Sequence, residues 1–429
     1  MKSKKMNSKK MKSIRAVTIA VLLTVSLVGC STAQDDSGNT AAATQTASSG
    51  VSSNATTETS ATPATTETSA ATTAGAAVLD TAELFSDRDL EQTADLTAAT
   101  QMNLVSNQDV TLSEEGVYVL SGDVDNVTVT VEAADDAKVQ IVLDGVSITN
   151  EDSPAIYVKA ADKVFVTSTD SENHMEVTGT YVADGETNLD AVIFSRADLT
   201  LNGTGTLDIV SSQGNGISSK DDLKITGGVY TLQSAADALE ANDAILVSGG
   251  TITIDTDKDA LHSENADDVT LGNIYIKGGT LTINAADDGI TGNNIVQIDG
   301  GTIDIKTSQE GIEANNVIVN DGQITVYAND DGINATPKVN EDASIVVNGG
   351  TINVSMASGD TDAFDSNGNL YVNGGIINVE ATSAFDADGT AELNGGTVTV
   401  NGEQITEITQ SRGGGGGGGR GGAGGGGGH

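Results

Sequence analysis

Six acidic side chains recur at one place in a repeated unit: Asp237, Asp259, Asp288, Glu310, Asp331 and Asp362. The first five each stand nine residues after a glycine, and Asp362 continues the series after a small insertion. Three residues beyond them stand Glu240, His262, Thr291, Glu313, Asn334 and Asp365, with Asp386 in the last unit. Carboxylates are hard oxygen donors, and several converging on one point can hold a divalent cation. Ca²⁺ accepts irregular oxygen cages at about 2.4 Å, whereas Mg²⁺ demands about 2.05 Å and octahedral order. Calcium is therefore the better expectation, provided the chain stacks these residues. The alternative role for the same acids is local, since Asp and Asn also cap amides at tight bends.

The carrier of the acids is a repeat. Aligned on its second glycine, it falls at Gly228, Gly250, Gly279, Gly301, Gly322, Gly350, Gly375 and Gly396, at intervals of 21 to 29 residues, the period of a solenoid rung. Two and four residues after each glycine the chain is apolar, as in Ile303 and Ile305, and so it is three residues before, as in Ile298. Spacing by two puts alternate side chains on one face of a strand. A third apolar column runs Leu239, Leu261, Ile290, Ile312 and Ile333, continued by Phe364 and Phe385. Each unit thus carries three short strands, and no helical spacing recurs between them. Such strands bury an inner face only by stacking rung on rung, which gives an all-β fold, a right-handed parallel β-helix. Equal positions then lie roughly 4.8 Å apart along the coil. Unit charges at that distance repel by about 0.9 kcal/mol in water and about 3.5 kcal/mol at an effective dielectric of 20. A stripe of acids so placed calls for counter-ions.

The stretch before the clear repeats, from 84 to 222, alternates like strands at residues 109–120 and 138–148 and is expected to supply opening rungs. Leu90 to Leu96 is expected to form a short helix capping the open end. Asn293, Asn294, Asn315, Asn316 and Asn334 are expected to serve as turn residues rather than ligands. His174 falls in what reads as an irregular loop, and no zinc spacing exists.

The two ends differ from the coil. Met1 to Arg15 carries seven basic residues and no acid, Ala16 to Val28 is apolar, and Leu27-Val28-Gly29-Cys30 closes the run. That is a lipoprotein signal over 1–29 with Cys30 as the acylated residue, placing the protein outside the cytoplasm, lipid-anchored and exposed at a bacterial cell surface. Cys30 is the single cysteine, so the chain can form no internal disulfide. Residues 30–82, rich in Ser, Thr and Ala, read as a disordered tether, residues 83–410 as the β-helix, and 411–429 as a disordered Gly-rich tail. Beyond the signal, 13 basic side chains face 61 acidic ones, a formal charge of −48. Nucleic acid is excluded as a partner, and a membrane is expected only through the lipid anchor.

The block from Asp190-Ala191-Val192-Ile193-Phe194-Ser195-Arg196 to Asn202-Gly203, then Gly216-Ile217-Ser218-Ser219-Lys220 to Gly227-Gly228, followed by Asp-Gly-Ile units, resembles the clostridial carbohydrate-binding β-helix proteins. The resemblance covers roughly residues 84–401. It implies a fold like that of pectate lyases, calcium along the coil, and binding of cellulose and acidic polysaccharides such as polygalacturonate. Carried over by position, it implies metal ligation by Asp237, Asp259, Asp288, Glu310, Asp331 and Asp362, with Glu240, Glu313 and Asp365 beside them. Ala238, Ala260 and Ala363 depart from the glycine usual there. With no tryptophan in the chain, uronate-type polymers rank above cellulose. The same residues are compatible with two other functions. A polysaccharide lyase would need a base, for which Arg196, Lys220, Lys224 and Lys258 are the candidates. A structural or adhesive spacer would hold calcium for rigidity alone.

Overall fold

The computed structural model describes residues 77–359 and 361–409. The signal segment, Cys30, the tether as far as residue 76 and the tail 411–429 lie outside the described residues.

From Thr100 to Ile405 the chain is a parallel β-helix whose strands fall into three files. A typical rung runs Asp222–Ile225, turns at Gly228, continues as Val229–Ser234, bends at Asp237 and closes with Leu239–Ala241. Each strand pairs in parallel with its equivalent one rung on: Leu223 with Ile245, Tyr230 with Ile252, Leu239 with Leu261. The third file alone holds 12 strands. In the opening rungs the first two files are continuous, because Lys138–Asn150 pairs through its first half with Lys163–Ser168 and through its second with Glu172–Val177. Within residues 109–120 and 138–148 lie the strands Val110–Leu112, the start of Gly116–Asp125, and most of Lys138–Asn150, as their alternation indicates.

All three apolar columns point inward and merge into one core from Leu104 to Val398. Phe364 and Phe385 stack there with ring centroids 5.3 Å apart. The alignment glycines all have positive φ, from 82° at Gly396 to 120° at Gly322. A Cβ on Gly301 would also sit 3.1 Å from the carbonyl oxygen of Gly279 one rung away, so both backbone conformation and rung spacing require glycine there.

The capping helix differs from expectation. It is a single turn, Asp87–Leu90 (α1), with Ser86 and Asp89 forming a capping box, and it lies on the flank of the coil. Residues 79–92 run along the outside of the first file. The Leu79 amide donates to Gln297 at 3.1 Å, the Phe85 ring lies 6.3 Å from that of Tyr275, and Lys224 Nζ donates to the Leu84 carbonyl at 2.8 Å. Asp89, 1% exposed, meets Lys163 Nζ at 2.7 Å and accepts from Thr200 Oγ1 at 2.7 Å. The cause is non-local. An outer row containing Ala244, Leu246 and Tyr275 is apolar and takes Leu79, Leu84 and Phe85 as its cover, while buried Lys163 requires a carboxylate. At the far end the edge is closed differently, by Glu403–Ile405 folding back antiparallel on Thr397–Val400.

Burial alone would raise the Asp89 pKa, but Lys163, Thr200 and Ser86 together hold it down at about 2. Asp89→Ala removes the nearer carboxylate and leaves buried Lys163 facing only Asp198 at 3.7 Å, at an expected cost of about 3 kcal/mol. Its melting midpoint should fall by several degrees and residues 79–92 should become cleavable in limited proteolysis. An unchanged midpoint with the strap still protected would contradict this account of its anchoring.

Candidate metal centre

The bend before the third file is built by the acids themselves. Asp259 donates its backbone N–H to Asp237 Oδ1 at 3.2 Å, Asp288 to Asp259 Oδ1 at 3.0 Å, Glu310 to Asp288 Oδ1 at 3.1 Å and Asp362 to Asp331 Oδ1 at 3.2 Å. Asn215 does the same for Asp237 one rung earlier, at 2.9 Å. Asp237, Asp259, Asp288 and Asp331 thus each give one carboxylate oxygen to an amide of the next rung, which fixes those side chains and aligns the file. The capping role and the stacked stripe are two consequences of one geometry. The second acidic column is in register as well: Glu240, His262, Thr291, Glu313, Asn334, Asp365 and Asp386 pair in succession along the third file.

Three groups bring possible ligand atoms within 4.8 Å of one another: Asp237, Asp259 and His262; Asp259, Asp287 and Asp288; and Asp288, Glu310 and Glu313. Asp331, Asp362 and Asp365 continue the stack without joining a group this tight among the described residues. Glu240 is committed elsewhere, accepting from Asn215 Nδ2 at 2.8 Å and Ser218 Oγ at 2.6 Å and pairing with Lys220 at 3.4 Å.

The stripe therefore has two electrostatic halves. At its start the protein supplies its own cations: Lys258 Nζ lies 3.1 Å from Asp237, and His262 Nδ1 lies 3.1 Å from Asp237 and 3.5 Å from Asp259. Burial opposes ionisation of Asp237, yet His262 and Lys258 overcome it and lower the pKa; burial likewise disfavours charged His262, and Asp237 raises it. Further along, burial and neighbouring acids push Asp288 up to about 7, Glu310 to about 8, Asp331 to about 6 and Asp365 to about 7. These carboxylates sit where their charge is poorly compensated, and oxygen donors in that state suit a hard divalent cation.

Three features escaped the sequence reading. Asp287 joins the second group. Lys338 reaches back from a later loop to Thr291 and Glu313. Asn334, placed in the second column by its spacing but expected to be a turn residue, lies in the strand Ile333–Ala335 and donates its Nδ2 to Glu310 Oε2 at 3.0 Å. His174 is also misplaced by that reading, because it lies within the strand Glu172–Val177 and bonds Asp208 at 2.8 Å.

The family of carbohydrate-binding domain-containing proteins matches residues 106–363, more than half of the chain and nearly all of the acid stripe. The chain belongs to that family. A carbohydrate-binding domain-containing protein of Acetivibrio thermocellus is 35% identical over 132 residues, 30% of this chain and 46% of the relative, so the match spans less than half of that relative's length. A solved polysaccharide lyase-like protein from C. thermocellum, a gadolinium derivative, aligns over 70% of this chain and 96% of its own, at 21% identity and a TM-score of 0.38.

A carboxyl whose pKa is raised by folding holds its proton more tightly in the native state. Its contribution to stability is full below the unfolded value of about 4 and is lost as pH rises through the folded value, here up to about 8. In chelator, the melting midpoint should therefore fall between about pH 5 and about pH 8, more steeply in the wild type than in Asp288→Asn/Glu310→Gln. A wild-type slope equal to that of the double variant would contradict the assignment.

Proposed function

We propose that the chain is a polysaccharide-binding protein of the cell surface, lipid-anchored through Cys30, that receives acidic, uronate-type glycans through Ca²⁺ held by the stacked acids. The observation that carries this reading is the group Asp288, Glu310 and Glu313, three carboxylates with oxygens within 4.8 Å of one another, set on the surface of a carbohydrate-binding family member. A divalent ion seated on two or three carboxylates keeps residual coordination positions for carboxylates of a sugar polymer.

The aromatic residues favour an acidic glycan over cellulose. Flat neutral polymers are held by exposed ring platforms, and among the described aromatic side chains only Tyr327 is exposed, at 41%. Tyr230 and Phe194 are buried.

The cations favour binding over lyase chemistry. A base for proton abstraction next to a carboxylate needs a free, deprotonated nitrogen. Lys220 is paired with Glu240, Lys224 bonds Asp222 and the strap, and Asp237 raises the Lys258 pKa against the effect of burial. Arg196 follows the strand Ala191–Ser195, several rungs from the central acids.

Pulldown of the protein on polygalacturonate gel with calcium should retain it, and excess chelator or the Asp288→Asn/Glu310→Gln variant should release most of it. Long incubation should yield no unsaturated uronides. Retention on cellulose that ignores calcium would overturn the preference for acidic polymers, and uronide products would overturn the binding-only role.

A further inference from the structure

The rung between Gly322 and Gly350 is longer than its neighbours, and the extra residues form a loop, 336–343, between Ile333–Ala335 and Ser344–Val347. The base of the loop is held by buried Asn315, whose Oδ1 accepts the backbone N–H groups of Lys338, Val339 and Asn340 at 3.0, 3.0 and 3.1 Å. This fixes the backbone and leaves the Lys338 side chain as the movable part. That side chain reaches back across the stack, donating to Thr291 Oγ1 at 3.1 Å and pairing with Glu313. Thr291 Oγ1 in turn donates to Glu313 Oε2 at 3.1 Å. The ammonium therefore lies on one ligand of the central group while reaching neither Asp288 nor Glu310.

A second observation marks the same place. Asn334 is 6% exposed and follows Glu313 in the second column. Its nitrogen is engaged by Glu310, and its Oδ1, on the same planar group, is buried with no hydrogen-bond donor among the described residues. An amide oxygen sealed beside carboxylates gains nothing from further acceptors, and a cation would satisfy it.

We propose that Lys338 is the resident counter-ion of the centre formed by Asp288, Glu310, Glu313 and the Asn334 amide oxygen, and that a divalent cation binds there by displacing it. This rests on the stripe being a cation site and goes further, assigning a competitor and a regulatory residue. One ammonium compensates one carboxylate, whereas a divalent ion at the centre can touch all three. The long lysine stem lets the head swing to solvent while Asn315 keeps the loop in place. The exchange weakens cation binding and makes it readily reversible, because each binding event must first remove a tethered charge.

Two measurements on the full chain test this, with calcium chloride as the probe. In titration calorimetry, Lys338→Gln should bind Ca²⁺ at one site about tenfold more tightly than the wild type, as expected when a like charge a few ångströms away is removed. Asp288→Asn should abolish that site in both backgrounds. In the unmutated protein, acetylation of Lys338 followed by mass spectrometry should accelerate when calcium is added, with exposed Lys277 as the unchanged reference. Wild-type calcium binding that Lys338→Gln leaves equal or weaker, or Lys338 acetylation that calcium does not alter, overturns the displacement while leaving the cation site standing. Absence of calcium binding in every variant overturns both.

Discussion

Parallel register governs everything in this molecule. Because each rung pairs in parallel with the next, a side chain type repeated in the sequence becomes a file in space, with members roughly 4.8 Å apart. For apolar residues the result is one continuous core. For asparagine it is a hydrogen-bonded ladder, in which Asn348, Asn373 and Asn394 each donate to the residue before them and Asn320 ends the series on Asp299. For carboxylates the same stacking produces unfavourable crowding, and the protein meets it in two ways. Lys258 and His262 compensate the charge of Asp237, the first acid. The later ones keep raised pKa values that protons or a divalent cation can relieve.

Amide capping explains why the crowding is tolerated at all. Each Oδ1 that accepts the next rung's N–H replaces a hydrogen bond the bend would otherwise lack, so the acids contribute to the fold even where their charges oppose one another. Asparagine can supply the cap, as Asn215 does. What an acid adds over asparagine is charge, which under the proposed function would present a cation to an anionic polymer.

Much of this was legible in the sequence because a solenoid turns long-range contacts into a fixed period. Counting from Gly228, Gly250 and Gly279 identified the glycines with positive φ. The same counting located the inward columns and put Glu313 in the column three residues beyond Glu310, where the oxygens of the two come within 4.8 Å of one another. Features outside the period were not legible. Asp89 finds Lys163 across 74 positions of chain, and no local pattern reports that a strap will lie along the flank instead of capping the end. Lys338 sits in an insertion, so column counting skips it, although it is the cation nearest to Glu313. Asn334 stood in the second column by spacing and does pair between Glu313 and Asp365, but its residue type suggested a turn, and its bond to Glu310 was not legible.

The central claim is that stacking makes a cation site from carboxylates far apart in the chain. The most direct measurement is a long-wavelength anomalous difference map from crystals of the calcium-loaded protein. The account predicts a peak enclosed by Asp288, Glu310 and Glu313, with the Lys338 head withdrawn from Glu313. A map with no peak there, Lys338 still on Glu313, and calcium bound only at scattered surface acids would contradict it.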